Sequence, residues 1–271
     1  MNSPYIIEET QDFAVVFKPS KMHCAPVSAN GEQKENDKTL EMWYWEYSGK
    51  KENNKLMHRL DFETHGLVLF AKNEKSFHFF KSAQDNGDFI KEYSAICQLS
   101  FDESRLSDFS NDDFHSSSFI SHSPSRISRS PLQGFPQQPV FLVNNSSHEK
   151  PFIIESYFRP FGKGRKQVRP VIEDGKKHKE IAKDKTGFYR TEIININKNI
   201  ITARINRGFR HQIRCHLCWI GFPIKNDSLY SVCAPAVEPA SADTLALRAH
   251  AVFFPDILTG RPLEFRISPL Q

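Results

Sequence analysis

The chain has 271 residues, 39% hydrophobic and 25% charged, the balance of a globular protein in water. Its 23 phenylalanines supply apolar volume for a sizeable core. A net charge of +4 admits a polyanionic partner without requiring one. No apolar run is long enough to cross a bilayer and no basic, then apolar, leader follows Met1, so neither a membrane span nor a secretory leader is expected; the five scattered cysteines read as free thiols in a cytoplasmic, reducing compartment.

Residues 6–18 read as two short strands about a polar turn, the second being Phe13-Ala14-Val15-Val16-Phe17, stopped by Lys18-Pro19. Residues 30–38 are too polar for a core, and Thr39 then caps a short helix with Leu40, Trp43 and Tyr44 on one face. The apolar run at 66–72 reads as a buried strand. Residues 74–86 make a helix with Phe77, Phe80, Lys81 and Ala83 inward. Residues 90–99 return to strand, with Tyr93, Ala95 and Cys97 alternating against Glu92, Ser94 and Ile96. Over 101–150 Ser, Asp, Asn and Pro dominate; this segment reads as a partly disordered insertion with one short strand near 140–143. Strands near 152–158, 187–196 and 200–206 follow. Between the first two lies a basic stretch from Arg159 to Lys185, either a solvated hairpin or a surface for phosphates. A helix at 211–221 closes at Gly221 before Pro223, and strands at 244–254 and 262–267 complete the pattern. Many strands, few helices and no regular βαβ alternation predict an α+β fold on a mixed, largely antiparallel sheet flanked by helices. Residues 1–271 are expected to form one domain with 101–150 as an insertion.

Three segments carry candidate chemistry. His58-Arg59-Leu60-Asp61 stands at the mouth of the buried strand, where a carboxylate is either a turn cap or a nucleophile or acid/base in a cleft; spacing alone does not choose. In Arg207-Gly208-Phe209-Arg210-His211-Gln212-Ile213-Arg214-Cys215-His216-Leu217, the density of polar groups beside Ile213, Leu217 and Trp219 predicts at least one buried, paired arginine. His211, Cys215, His216 and Cys218 suggest zinc, but there is one Cys-x-x-Cys and no second pair at finger-like spacing, so metal is not expected. Tyr93, in Lys91-Glu92-Tyr93-Ser94-Ala95, is either half-buried packing or a ring that stacks on an extruded base.

Taken in order, these segments resemble the RluA-type RNA pseudouridine synthases. The pattern comprises Phe17-Lys18-Pro19, His58-Arg59-Leu60-Asp61-x-x-Thr64-x-Gly66, Lys91-x-Tyr93-x-Ala95 and Gly208-x-x-His211-Gln212-Ile213-Arg214-x-His216-Leu217. It continues with Gly221-x-Pro223-Ile224, Asp227-x-x-Tyr230, Leu245-x-Leu247-x-Ala249 and a Phe-Pro-x-x-x-Thr-Gly turn at 254–260. The resemblance implies isomerisation of uridine to pseudouridine in ribosomal or transfer RNA without metal or organic cofactor: the base is detached at N1, turned and rejoined through C5. It implies Asp61 as the essential carboxylate, Tyr93 as the ring that stacks on the base and assists proton removal from C5, and Arg214 as the cation that pairs with Asp61. Leu245 and Leu247 would line the base site, with His58, Arg59, Arg210 and His211 as further substrate contacts, and the basic stretch and Lys72 along the RNA backbone. RNA is the expected partner, the protein a monomer, and no amino-terminal S4-like module is expected before Phe17. The sequence departs from the family at His65, where Ser is usual, at Arg210, one position from the family's arginine, and at Lys225-Asn226-Asp227, which replaces a Gly-Asp step. Two other readings are a catalytically lapsed RNA-binding module and a metal-dependent hydrolase using His58, Asp61, His211 and His216.

Overall fold

The computed structural model describes residues 3–26, 38–49, 53–98, 135, 141–142, 152–172, 188–230 and 244–271. Alternating and near-continuous apolar runs assemble into one sheet of twelve strands among these residues. The strands are β1 (Tyr5–Glu9), β2 (Phe13–Lys18), β3 (Lys55–Leu56), β4 (His65–Ala71), β5 (Ile90–Ile96), β6 (Phe141–Leu142), β7 (Phe152–Phe161), β8 (Gln167–Val171), β9 (Tyr189–Asn197), β10 (Ile200–Ile205), β11 (Leu247–Pro255) and β12 (Pro262–Arg266). Their order is β1-β2-β4-β11-β5-β10-β9-β7-β6, with β3 on β4, β8 on β7 and β12 on β11. Pairing is antiparallel throughout except between β4 and β11. The expected α+β fold on a mixed, largely antiparallel sheet is observed.

Three helices are described: α1 (Leu40–Tyr47), α2 (Glu74–Asn86) and α3 (Gln212–Trp219). Thr39 caps α1 by accepting from the Met42 amide at 3.2 Å. Asn73 and Ser76 close a reciprocal cap on α2, and Gly87 ends it in the left-handed conformation. Phe80 and Ala83 face inward as expected, but Lys81 is exposed and pairs with Asp85 at 3.1 Å: charge keeps its head in water although its position borders the buried stripe.

The sheet is covered on both faces, so its strands bury both sets of side chains. On one face Ala14, Val16, Val68, Phe70, Tyr93, Ala95, Leu247 and Ala249 pack with Leu40 and Tyr44 of α1 and Ile213 and Leu217 of α3. On the other, Phe13, Val15, Leu67, Leu69 and Val252 meet Phe80, Phe89 and Phe254 in an edge-to-face cluster, which accounts for much of the phenylalanine content. Glu92 and Ser94, expected on the less buried side of their strand, are therefore buried too. Glu92 is compensated by His250, Arg204 and Arg266 at 2.7 to 3.1 Å. The short strand expected near 140–143 is β6; the rest of 101–150 lies outside the described residues, except Phe135, whose ring receives the Arg169 guanidinium at 4.3 Å. Of the basic stretch, β7, a short 3₁₀ turn at Lys163–Arg165 and β8 form a hairpin with Lys163, Arg165 and Lys166 exposed at its tip; residues 173–187 lie outside the description.

Candidate active site

Asp61 sits in the turn between β3 and β4, and that turn is held from outside its own sequence. The segment after β2 grips it: the Ser20 hydroxyl donates to the Glu63 carbonyl at 2.6 Å, the Met22 amide to the Phe62 carbonyl at 3.3 Å, and the Leu60 amide meets the Cys24 sulfur at 3.2 Å. Lys18, fully buried, donates to the carbonyls of Pro19, Met22 and Phe62 at 2.9, 2.7 and 3.3 Å. Burial pushes its ammonium down to about 8, with Cys24 and Asp61 opposing. This gives Phe17-Lys18-Pro19 its structural job, which is to seat the turn that carries Asp61.

Gly66 shows why the next residue pattern is so restricted. Its φ is +132°, and a Cβ there would lie 2.2 Å from the Ala249 carbonyl oxygen. Only glycine lets β4 run this close to β11.

Arg214 approaches from α3. Its guanidinium is 2% exposed and anchored by two bonds to Asp227, Nε to Oδ2 at 2.8 Å and Nη2 to Oδ1 at 2.7 Å, and by one to Glu63 at 2.9 Å. Its Nη1 stands 3.9 Å from Asp61 Oδ2. The buried, paired arginine is thus present, but the hydrogen-bonded partners are Asp227 and Glu63, and Asp61 is met at ion-pair distance. Three carboxylates around one guanidinium is a geometry no single spacing in the chain reveals. In the sequence Asp227 stands in Asp227-x-x-Tyr230 and in the step Lys225-Asn226-Asp227, and neither points to Arg214. Asp227 Oδ1 also accepts from the Leu229 and Tyr230 amides at 2.9 and 3.0 Å, so the acceptor is itself fixed.

His211 opens α3 in the left-handed region, φ 58°. Its Nε2 is 4.0 Å from Asp61 Oδ1 and its Nδ1 lies 3.1 Å from the Tyr230 hydroxyl, which in turn accepts from the Val168 amide at 2.9 Å. Burial, then Arg214 and Arg210, push the His211 imidazole down to about 3, so it is neutral beside Asp61. Burial pushes the Asp61 carboxyl above the ordinary aspartate range; Arg214, the His211 amide and Arg210 oppose that, and Asp227 adds to it.

Tyr93 projects from β5 on the same face as Lys18. Its register partners on either side are Ala203 and Ala249, both fully buried, and these small neighbours leave the ring its space. Burial, and then Asp61, push its hydroxyl upward, and that hydroxyl makes no hydrogen bond to a described residue. Leu245 and Leu247 are both buried in this core cluster with Tyr93 and Leu60.

The remaining candidates divide. Arg59 and Arg210 are exposed, and Arg210 donates to the Arg165 carbonyl, tying the basic hairpin tip to the mouth of the site. His58 differs from the expectation of an open substrate contact: its Nε2 accepts from the Leu69 amide at 3.2 Å and its ring packs on Phe89, so it clamps β4. Lys72 is occupied by Glu9 at 2.9 Å and by the Thr10 carbonyl and is not offered to an RNA backbone. The His/Cys patch disperses: Cys215 and Cys218 donate to the Val168 and Tyr230 carbonyls at 3.5 and 3.0 Å, while His216 lies between Ser156 and Thr191, 2.9 Å from each hydroxyl. No group of three His, Cys, Asp or Glu suited to a metal ion occurs among the described residues.

The departures from the family pattern leave Asp61, Tyr93 and Arg214 in place. His65 lies on the opposite face of the sheet from Tyr93, edge-on to Phe17, and accepts from Arg248 Nε at 2.9 Å. Asn226 has φ 62°, the left-handed conformation that a glycine would supply and that asparagine tolerates among the best of other residues.

The fold thus brings a buried Arg–carboxylate network and a tyrosine to one face of a mixed sheet. The sequence matches the RNA pseudouridylate synthase family over residues 12–219, and the chain belongs to that family. It is 22% identical over 268 residues to an uncharacterized RNA pseudouridine synthase of Mycoplasma genitalium, covering 98% of this chain and 66% of that one. It is 26% identical over 198 residues to an uncharacterized RNA pseudouridine synthase of Helicobacter pylori, covering 73% and 57%. The chain therefore spans about two thirds or less of these relatives' lengths. Among solved structures it resembles human RNA pseudouridylate synthase domain containing 1, with TM-score 0.59, 14% identity and 98% and 84% coverage, and human RNA pseudouridylate synthase domain containing 4, with TM-score 0.54, 16% identity and 98% and 88% coverage; both likenesses concern the fold. No described helix is long and apolar enough to cross a membrane.

Proposed function

We infer that this protein is an RNA pseudouridine synthase acting on ribosomal or transfer RNA in the cytoplasm, as a monomer, with residues 1–271 as one catalytic domain and Asp61 as its catalytic carboxylate. The observation that carries the reading is the seating of Asp61, 3.9 Å from Arg214 and 4.0 Å from His211, at a site where Tyr93 stands free-ended between two alanines. A carboxylate facing a buried guanidinium at ion-pair distance and an aromatic ring that can stack on a base out of its helix are the two parts the reaction needs.

The N1–C1′ bond of uridine breaks, the base turns, a C5–C1′ bond forms, the proton on C5 passes to solvent and N1 takes up a proton, so that atoms and charge balance. Asp61 supplies the nucleophilic carboxylate. Arg214, fixed by Asp227 and Glu63, keeps that carboxylate oriented without being drawn fully onto it. Tyr93 stacks on the base, Leu245 and Leu247 exclude water around it, and the exposed Arg59 and Arg210 meet the RNA backbone. Mapping pseudouridine across ribosomal and transfer RNA of cells with and without the gene tests this: a position lost on deletion returns with the unaltered gene and not with Asp61→Ala. Return of the modification with Asp61→Ala, or no position lost, contradicts it.

A further inference from the structure

Outside the Asp61 network, Lys91 is a buried lysine with no hydrogen-bonding or ionic partner among the described residues. Lys91 lies on β5, on the same face as Tyr93 and two residues from it, so the two side chains rise from the sheet roughly 7 Å apart. It is 6% exposed, and its ammonium makes no hydrogen bond and no ion pair with any described residue; its one polar-type contact is the Phe89 ring at 5.3 Å. Burial alone lowers its proton affinity, to about 8, with no anion to offset the cost. Lys18, the other buried lysine of this face, has three carbonyl acceptors, so the absence of any for Lys91 is not a property of the location. The side chain is buried along its length while the ammonium is not among the fully enclosed unpartnered atoms, so a lysine head without an internal partner is presented at the surface, where it can meet an external anion.

Gly208 covers the ammonium with nothing: a Cβ there would be 3.7 Å from Lys91 Nζ, an ordinary contact, so glycine is not needed for packing, and the residue is exposed. The same short loop carries Arg207 and Arg210 and ends at His211 against Asp61. The half-buried His58, whose imidazole is pushed down by desolvation and then by Lys91, packs on the same Phe89 ring.

We propose that Lys91 holds a phosphodiester of bound RNA, the one beside the uridine that enters the Asp61–Tyr93 site, through the gap left by Gly208. The proposal rests on the synthase reading for its ligand, yet it is tested by binding rather than turnover. Binding of a fluorescent twelve-nucleotide oligouridylate is measured against salt. Lys91→Met is expected to weaken binding about tenfold or more and to reduce the slope of log Kd on log salt by about 0.7, while its Tm without RNA rises because an uncompensated charge is gone. Gly208→Val, which covers the ammonium without removing it, is expected to weaken binding in the same direction. Lys81→Met, on the exposed side of α2, leaves the slope unchanged. An unchanged slope in Lys91→Met, or no binding of the oligomer by the unaltered protein, overturns the proposal. Tritium release by the unaltered protein reports separately on the synthase reading, so the two can fail independently.

Discussion

Arg214 shows how one side chain can serve a neighbour without being captured by it. Its two bonds to Asp227 and one to Glu63 use the Nε and Nη2 positions, which leaves Nη1 facing Asp61 at 3.9 Å. The guanidinium thus stabilises a charge on Asp61 while the carboxylate oxygens stay available for chemistry. Asp227→Asn is expected to release Arg214 toward Asp61 and to leave a buried cation short of a partner. Stability should drop by about 3 kcal/mol in urea unfolding, and kcat by at least tenfold; a variant of unchanged stability and rate would show that Asp227 does not set Arg214. His65, the departure that follows Asp61 in sequence, bonds to Arg248 of the adjacent strand on the face away from Tyr93.

At the scale of elements, the site depends on two close approaches, of the 18–24 segment onto the 58–64 turn and of β4 onto β11. Gly66→Ala places a methyl 2.2 Å from the Ala249 carbonyl oxygen in backbone that cannot yield, so a loss of more than about 4 kcal/mol, or failure to fold, is expected from thermal unfolding; a normal Tm would mean β4 and β11 do not meet as described. These contacts separate what the sequence discloses from what it does not. The periods of residues 13–18, 66–71, 74–86 and 90–96 announce their elements because each buries its own side chains against the sheet. The role of Lys18 is not readable, because it ties its own following turn, through the Pro19 and Met22 carbonyls, to the Phe62 carbonyl 44 residues away. The Asp227 and Glu63 brackets around Arg214 are equally silent, since they join positions 13 and 151 residues apart. Lys81 was misread for the opposite reason: helical spacing placed it at the edge of a stripe, and a charge at an edge goes to water. Asp61, Tyr93 and Arg214 were picked out by the company they keep in a family pattern, not by periodicity.

Across the whole molecule, burial on both faces of the sheet carries a consequence for acid stability. His216 is fully buried between Ser156 and Thr191, and burial pushes its imidazole down to about 3 from 6.5; His211 and His65 are likewise lowered, to about 3 and about 4. Below pH 6.5 the unfolded chain takes up protons that the folded chain refuses, so stability falls as pH drops from about 6.5 toward 3. His216→Gln should flatten part of that decline in urea midpoints measured at pH 7, 6, 5 and 4; an equal decline in both proteins would contradict the burial of His216 as a neutral ring. The β3–β4 turn, β5 and α3 bring Asp61, Tyr93 and Arg214 to one site, and the proposed reaction needs all three. Purified protein incubated with transfer and ribosomal RNA tritiated at uridine C5 should release tritium to water, with an acid limb of kcat higher than an ordinary aspartate would give. Asp61→Asn should release none while folding and binding RNA as the unaltered protein does. Release by Asp61→Asn at a rate near that of the unaltered protein, or no release by the unaltered protein, would contradict the account.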